Sequence, residues 1–110
     1  MTTLVRSSIP DDARAAGIIC YDAFKAIAEQ HGFPPDFPSP EVAIGLINTL
    51  ISRSDVFGVI AEADGRVVGS NFLWESDSFA GVGPITVQPR QQNDSIGRKL
   101  MDAVLARAQQ

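Results

Sequence analysis

The middle of the chain carries an antiparallel hairpin pattern that restricts the folds open to it. Residues Val56 to Ala63 and Arg66 to Trp74 are rich in β-branched and apolar side chains, which is typical of strands. Between them lies Asp64-Gly65, a two-residue turn that suits the right-handed twist of a hairpin. The pattern predicts an antiparallel sheet at the centre of the fold.

Three helices are predicted from apolar residues that recur at three- and four-residue spacing. The first runs from Ala13 to about Gln30, and the second begins at Pro40 with Ser39 as its N-terminal cap. The third follows Pro89 and extends nearly to the last residue. The positions predicted to face the core on these helices are Ala16, Ile19, Cys20, Ala23, Phe24, Ile27, Ala43, Leu46, Ile47, Leu50, Ile51, Ile96, Leu100, Met101, Val104, Leu105 and Ala108.

Two further strands complete the predicted order of elements. Residues Thr3 to Arg6 favour a strand, and Gly81 to Val87 forms another that Pro89 closes, because proline cannot continue a ladder. The order is then β, α, α, β, β, β, α over 110 residues, a length that suits one hydrophobic core. We expect one domain, residues 1–110, of the α+β class with an antiparallel-rich sheet and flanking helices.

Charge and cysteine content exclude several classes of function. Nine Lys and Arg against thirteen Asp and Glu give a net charge of −4, the wrong sign for a surface that neutralises nucleic-acid phosphates. One cysteine, Cys20, and one histidine, His31, provide no ligand set for a structural metal. Residues 1–10 lack the apolar core of a signal peptide, and no run of about 20 apolar residues spans a bilayer. We expect a cytoplasmic protein with no nucleic-acid, membrane or metal partner.

Residues 87–100 lead from a strand, through a turn, to the start of a helix. The first amides of a helix have no partner within the helix and carry partial positive charge, so such a segment can hold a phosphate. The other interpretation is an ordinary connection in which Asn93, Asp94 or Ser95 only caps the helix. The spacing alone leaves both interpretations open.

The same segment resembles the acetyl-CoA-binding motif of the GNAT superfamily of N-acetyltransferases, V-x-P-x-x-Q/R-x-x-G-x-G/A followed by a leucine on the helix. Residues 63–69 resemble the hairpin in which the second and third strands of that family meet. Residues 5–6 and 10–13 resemble its opening strand and first helix. The resemblance therefore spans the whole chain in the family's order. The residues quoted for the motif are Val87, Pro89, Gln92, Ile96, Gly97 and Leu100.

This resemblance implies a GNAT-like acyl-CoA N-acyltransferase fold with acetyl-CoA as cosubstrate. The pantetheine arm would pair with the backbone of residues 84–87, and the pyrophosphate would rest on the amides that open the last helix. The implied reaction is direct attack of a neutral amine on the thioester carbonyl. The implied cofactor-binding residues are Ile85, Thr86, Val87, Gln92, Asn93, Asp94, Ser95, Ile96 and Gly97.

Three departures from the family pattern bear on activity. Asp94 and Ser95 stand where the family usually has a basic residue and then glycine. No carboxylate occurs in Gly81 to Val87, where the family often places a base. Glu75 and Asp77, just upstream, are the nearest candidate bases, and a solvated loop is their other interpretation. The family's fifth strand, fourth helix and closing hairpin have no counterpart after the last helix, so we expect a homodimer in which a second copy supplies that wall of the cleft.

Two functions are compatible with these features. The first is an acetyl-CoA-dependent N-acetyltransferase that moves an acetyl group to an amine acceptor. The second is a non-catalytic GNAT-like interaction or regulatory module. Phe33 and Phe37, in the proline-rich loop after the first helix, either cover the core or line an acceptor pocket. The sequence does not identify the acceptor.

Overall fold

A computed structural model describes residues 3–75, 81–91 and 95–109 of the chain. The predicted order of helices and strands is confirmed except in the predicted strand Gly81 to Val87, and the bounds of the central hairpin are confirmed. Short 3-10 turns precede the first and last helices, at Pro10–Asp12 and Pro89–Gln91. The elements are β1 Thr3–Ser7, α1 Ala13–Gln30, α2 Pro40–Ser52, β2 Val56–Ala63, β3 Arg66–Trp74, β4 Gly81–Val82, β5 Thr86–Val87 and α3 Ile96–Ala108.

The strands form one antiparallel sheet in which β2 and β3 are the central pair. β1 pairs with the outer side of β2, while β4 and β5 both pair with the outer side of β3. The hairpin turn has φ angles of 54° at Asp64 and 80° at Gly65, the left-handed conformation that a tight two-residue hairpin requires. This local turn fixes which residues of β2 and β3 lie opposite each other.

The segment predicted as one strand, Gly81 to Val87, is instead two short strands. Residues 83–85 separate β4 from β5 and do not belong to the ladder. Gly83 has a φ of 125°, outside the extended region, and Pro84 has no N–H to donate to a neighbouring strand. The prediction of a continuous strand was wrong because it weighed the apolar composition above these two backbone constraints.

The sheet has a helical layer on each face. α3 covers one face, where its buried residues join those of β2, β3 and β5: Val59, Ala61, Ala63, Val68, Leu73, Val87, Ile96, Leu100 and Val104. α1 and α2 cover the other face, with a core of Ala13, Ala16, Cys20, Ile47, Leu50, Ile60 and Phe72. The α+β class with flanking helices is confirmed.

Some residues predicted to face the core do not. Ile27 is 51% exposed and Leu105 is 45% exposed, and Leu46 and Ala108 are also exposed. The buried face of α3 is formed by Ile96, Leu100 and Val104, and Leu105 lies beside that face. Ser39 occupies the cap position of α2, but its side chain makes no capping hydrogen bond. None of the described helices is long and apolar enough to cross a membrane.

A charged group joins β1 to the start of α1. Arg6 donates hydrogen bonds of 2.8 and 2.9 Å to the carboxylate of Asp12 and also pairs with Glu62 of β2. The Ile9 N–H donates to the same carboxylate at 2.8 Å. Burial of Asp12 opposes its ionisation, but the bonds from Arg6 and Ile9 outweigh burial and lower its pKa. The group therefore holds Asp12 in its charged form.

Candidate functional site

A cleft of about 320 Å³ lies between α1, β5 and the first turn of α3. It is lined mainly by apolar side chains, and Thr86 is the only polar side chain among the described residues that line it. One glycine, at the start of α3, lets the backbone of the helix border the cleft. The lining residues are Ala23, Phe24, Ile27, Ile85, Thr86, Val87 and Gly97.

β3 positions the floor of this cleft by holding β5 close. Thr86 lies opposite Ser70, and Val87 lies opposite Gly69. A side chain at Gly69 would place its Cβ 2.8 Å from the Thr86 carbonyl oxygen and 3.0 Å from the Leu100 side chain. Glycine at this position therefore allows β5 to approach β3.

The pairing also determines which way the backbone of β5 faces. The Gln88 N–H donates to the Val68 carbonyl of β3 at 2.7 Å. Residues along an antiparallel strand direct their backbone groups alternately toward and away from the partner strand. The N–H group of Val87 is therefore directed away from β3, toward the edge of the sheet that borders the cleft.

Two hydrogen bonds fix the segment that precedes β5. The Gly83 N–H donates to the Phe72 carbonyl at 2.8 Å. The indole N–H of Trp74 donates to the Gly83 carbonyl at 2.7 Å. These bonds hold residues 83–85 against β3, and this fixes the position of Ile85 in the wall of the cleft.

The start of α3 forms the other end of the cleft. Ser95 occupies the cap position with a φ of 62°, and its side chain makes no capping hydrogen bond. The first bond within the helix runs from the Lys99 N–H to the Ser95 carbonyl, so the N–H groups of residues 96–98 have no partner within the helix. Arg98 and Lys99 in this turn are exposed, and no acidic residue lies in it. Helix dipole and side chains together favour an anion here.

The structure brings four of the predicted cofactor-binding residues into the cleft: Ile85, Thr86, Val87 and Gly97. Ser95 is exposed just before α3, whereas the Ile96 side chain is fully buried in the core. Ile96 therefore has only its backbone N–H to offer a ligand. The predicted residues Gln92, Asn93 and Asp94 lie outside the described residues.

The candidate base Glu75 lies away from this cleft. Its carboxylate pairs with Arg107 at 3.0 Å, and Arg107 is in the last turn of α3. Gly97 and Arg107 are at opposite ends of that helix, roughly 15 Å apart at 1.5 Å per residue. The second candidate, Asp77, lies outside the described residues.

Sequence reasoning missed the α1 wall of the cleft. It assigned Ala23, Phe24 and Ile27 to the buried face of the helix, yet Ile27 is half exposed and all three line the cleft. Phe37 supports this wall, since its ring meets Phe24 edge to face with 5.7 Å between centroids. Phe33 is 68% exposed and stacks on His31. Phe33 and Phe37, just after the helix, were the sequence signal that this end of α1 borders a cleft as well as the core.

Cys20 has no place in the chemistry of the site. It lies on α1 and is fully buried in the core that α1, α2 and the sheet form. Burial raises the pKa of its thiol to about 11. A thiol with that pKa is protonated near neutral pH and is a poor nucleophile. This agrees with its predicted role in packing.

Comparisons with known proteins place this geometry in context. Residues 11–110 match the model of the acetyltransferase (GNAT) family. No curated protein matches the sequence. A GNAT family acetyltransferase from Brucella melitensis, in complex with acetyl-CoA, is similar in structure with a TM-score of 0.74 at 22% identity, over 96% of this chain and 68% of that chain.

Two further solved structures share the fold. PaiA N-acetyltransferase from Thermoplasma acidophilum, in complex with coenzyme A, has a TM-score of 0.75 at 18% identity, over 96% of this chain and 71% of that chain. Ribosomal-protein-alanine N-acetyltransferase from Brucella melitensis biovar Abortus 2308 has a TM-score of 0.70 at 16% identity, over 99% of this chain and 73% of that chain. At these identities the structural likeness establishes the fold.

Proposed function

The chain belongs to the acetyltransferase (GNAT) family, and we propose that it transfers an acetyl group from acetyl-CoA to an amine. The observation that carries this proposal is the cleft that joins the edge of β5 to the start of α3. One end is a strand edge along which an extended arm can lie. The other offers positive charge, and amides that have no partner within the helix, to a phosphate. Acetyl-CoA has both of these parts in one molecule.

The proposed cofactor pose follows from this division. The pyrophosphate binds the first-turn amides of α3, from Ile96 to Arg98, where Arg98 and Lys99 add positive charge. The pantetheine arm runs along the edge of β5, where Ile85, Thr86 and Val87 line the cleft. Solved relatives that hold acetyl-CoA or coenzyme A on the same fold support this pose.

The acetyl group is then transferred in one displacement. The amine nitrogen attacks the thioester carbonyl carbon, the new C–N bond forms, and the C–S bond breaks. The nitrogen loses one proton and the departing thiolate gains one, so the products are an amide and free coenzyme A. Donors near the carbonyl oxygen stabilise the charge that develops on it. Of the two predicted bases, we retain Asp77 for testing, because Glu75 is paired with Arg107.

A non-catalytic module is the alternative function. It is favoured by the absence of a titratable side chain among the described residues that line the cleft. It is favoured also by Asp94, an acidic residue that the sequence places next to the proposed phosphate site. Such a module would bind the cofactor, or a partner in its place, without turnover.

One pair of measurements separates these functions. Calorimetric titration reports whether coenzyme A binds, and a thiol-release assay with acetyl-CoA and a panel of amines reports turnover. Amine-dependent thiol release that falls in the Asp77→Asn variant supports the acetyltransferase. Binding without thiol release identifies the module, and no binding in calorimetry contradicts both uses of the cleft.

We also propose that the chain forms a homodimer through the sheet edge at β4. Val82 on this edge is 43% exposed, and an open sheet edge that carries an exposed apolar side chain favours pairing with another chain. Among the strands that the structure describes, none lies beyond β4 and β5. A two-fold pair would cover Val82, since the same patch then meets itself, and would leave Ile85 to the cleft.

A further inference from the structure

Two buried hydroxyl groups lie side by side at the floor of the cleft. Ser70 of β3 and Thr86 of β5 are directly opposite each other in the sheet. Ser70 is 1% exposed and Thr86 is 4% exposed. Their hydroxyl oxygens are 3.4 Å apart, longer than the 2.5–3.0 Å typical of bonds between hydroxyls. The pair is therefore poorly satisfied as it stands.

The side chain of Thr86 faces the α1 side of the sheet. Val87, the next residue, packs into the core beneath α3, and successive side chains of a strand point to opposite faces. Thr86 is therefore directed toward the face that α1 covers, where it lines the cleft beside Ala23 and Phe24. Ser70 lies beside it on the same face.

The two hydroxyls together have one donor proton that the pair itself does not use. Two hydroxyls carry two protons, and a bond between them uses one. If Ser70 donates to Thr86, the Thr86 proton remains to be donated into the cleft. No other side chain among the described lining residues can donate a hydrogen bond, so this proton is the one side-chain donor that a ligand would meet there.

We propose that the Thr86 hydroxyl donates a hydrogen bond to the acyl carbonyl oxygen of the bound thioester, and that Ser70 orients this hydroxyl as a positioning residue. The inference rests on the proposed function. The hydroxyl keeps its proton throughout, while the C–N bond forms and the C–S bond breaks at the neighbouring carbon. Its hydrogen bond strengthens as negative charge develops on the carbonyl oxygen, which lowers the barrier.

The test compares two ligands that differ only in the acyl group. Thr86→Val removes the hydroxyl with little change in shape, and Thr86→Ser keeps it as the matched control. We expect Thr86→Val to bind acetyl-CoA about fivefold more weakly, the effect of one neutral hydrogen bond, while its affinity for coenzyme A changes less than twofold. In the thiol-release assay its kcat should fall about tenfold or more, and Thr86→Ser, which keeps the hydroxyl, should recover most of that loss.

Ser70 is tested through its effect on Thr86. Ser70→Ala should lower kcat in the wild-type background and have no further effect when Thr86→Val is already present. A purely structural role for Ser70 would instead lower the activity of both backgrounds alike. Thermal unfolding checks that each variant keeps the fold. Each single variant leaves one buried hydroxyl without its partner and should lose some stability, whereas the double variant removes both partners and should add little to that loss.

The outcomes separate this inference from the proposed function. Equal loss of acetyl-CoA and coenzyme A binding in Thr86→Val, or no loss of either, overturns the role of the hydroxyl and leaves the acetyltransferase proposal standing. Failure of the wild-type chain to bind either ligand overturns both.

Discussion

Gly97 lies in the first turn of α3 and lines the cleft. A Cβ at this position would lie 3.8 Å from the Val87 side chain, an ordinary contact, so Gly97→Ala should fold normally. Alanine also favours a helix by about 0.5–1 kcal/mol over glycine. The added methyl group enters the cleft, however, and we expect calorimetry to show about tenfold weaker binding of coenzyme A, the effect of crowding by ~1–3 kcal/mol.

Gly45→Ala is the matched control for this prediction. Gly45 is an exposed helical glycine of α2, and a Cβ there would have no neighbour within 4 Å. This variant should gain the same helix stability and bind coenzyme A as the wild type does. If Gly97→Ala also binds normally, the cofactor does not pass the start of α3.

At the scale of elements, the approach of β5 to β3 sets the width of the cleft. Gly69→Ala would place a Cβ 2.8 Å from the Thr86 carbonyl oxygen, so β5 has to move. We expect a loss of about 1–3 kcal/mol in the free energy of unfolding, measured by urea denaturation, and weaker coenzyme A binding. Gly81→Ala is the control, since a Cβ there would lie 3.9 Å from Trp74. Equal stability of the two variants would show that β5 is not held as described.

The ion pair of Arg6 on β1 with Asp12, just before α1, should make stability depend on pH. The pKa of Asp12 is lowered in the folded chain, below its unfolded value of about 4. Its stabilisation is therefore present above about pH 4 and is lost as the pH falls through the folded pKa. Asp12→Asn should lower the free energy of unfolding by about 2 kcal/mol at pH 7. This is less than the loss expected for a fully buried ion pair, because the Arg6 side chain is 29% exposed and still pairs with Glu62.

Urea denaturation of Asp12→Asn and the wild type at pH 7 and pH 2 checks this expectation. The difference in free energy of unfolding should shrink at the lower pH, because Asp12 becomes protonated first in the unfolded chain and then, as the pH falls through the lowered folded pKa, in the folded chain. Asp55→Asn, which breaks an exposed pair with Arg53, should change stability much less. A pH-independent effect of Asp12→Asn would mean that its charge does not join these elements.

The elements themselves were predictable because their signals are local. The Asp64-Gly65 turn and the apolar spacing of α1 act over a few residues, so the sequence shows them directly. The break between β4 and β5 was missed although Gly83 and Pro84 mark it, because apolar composition was given more weight than backbone geometry. Pairing of Glu75 with Arg107 joins residues far apart in the chain, and no local pattern predicts it.

For the molecule as a whole, the open edge of the sheet leads to the expected dimer. Sedimentation at micromolar concentration should give the mass of two chains, because pairing covers the exposed Val82 on β4. Val82→Lys should yield a folded monomer. Leu4→Lys is the control, since Leu4 is 54% exposed on β1 at the other edge, and it should remain a dimer. A wild-type monomer that melts cooperatively at every concentration would contradict the pairing.

The cleft is a property of the whole molecule, and only part of it could be predicted. The motif located the β5 and α3 sides, since both lie within one continuous segment. The α1 side depends on where the end of a distant helix meets the sheet. Ala23 is buried as predicted, whereas Ile27 is half exposed, and the place of both on the cleft wall was not predicted. Their role follows from tertiary packing and not from their spacing.

The most direct test of a cofactor site in this cleft is backbone amide chemical-shift mapping by NMR as acetyl-CoA is added. The proposed pose predicts the largest shifts at Ile85 and Val87, at residues 95–98 that open α3, and at residues 23–27 of α1. These segments are separate in the sequence, and each of them contributes residues to the cleft. Shifts confined to another surface, such as the β1 edge, or no shifts at saturating acetyl-CoA, would contradict the proposed site.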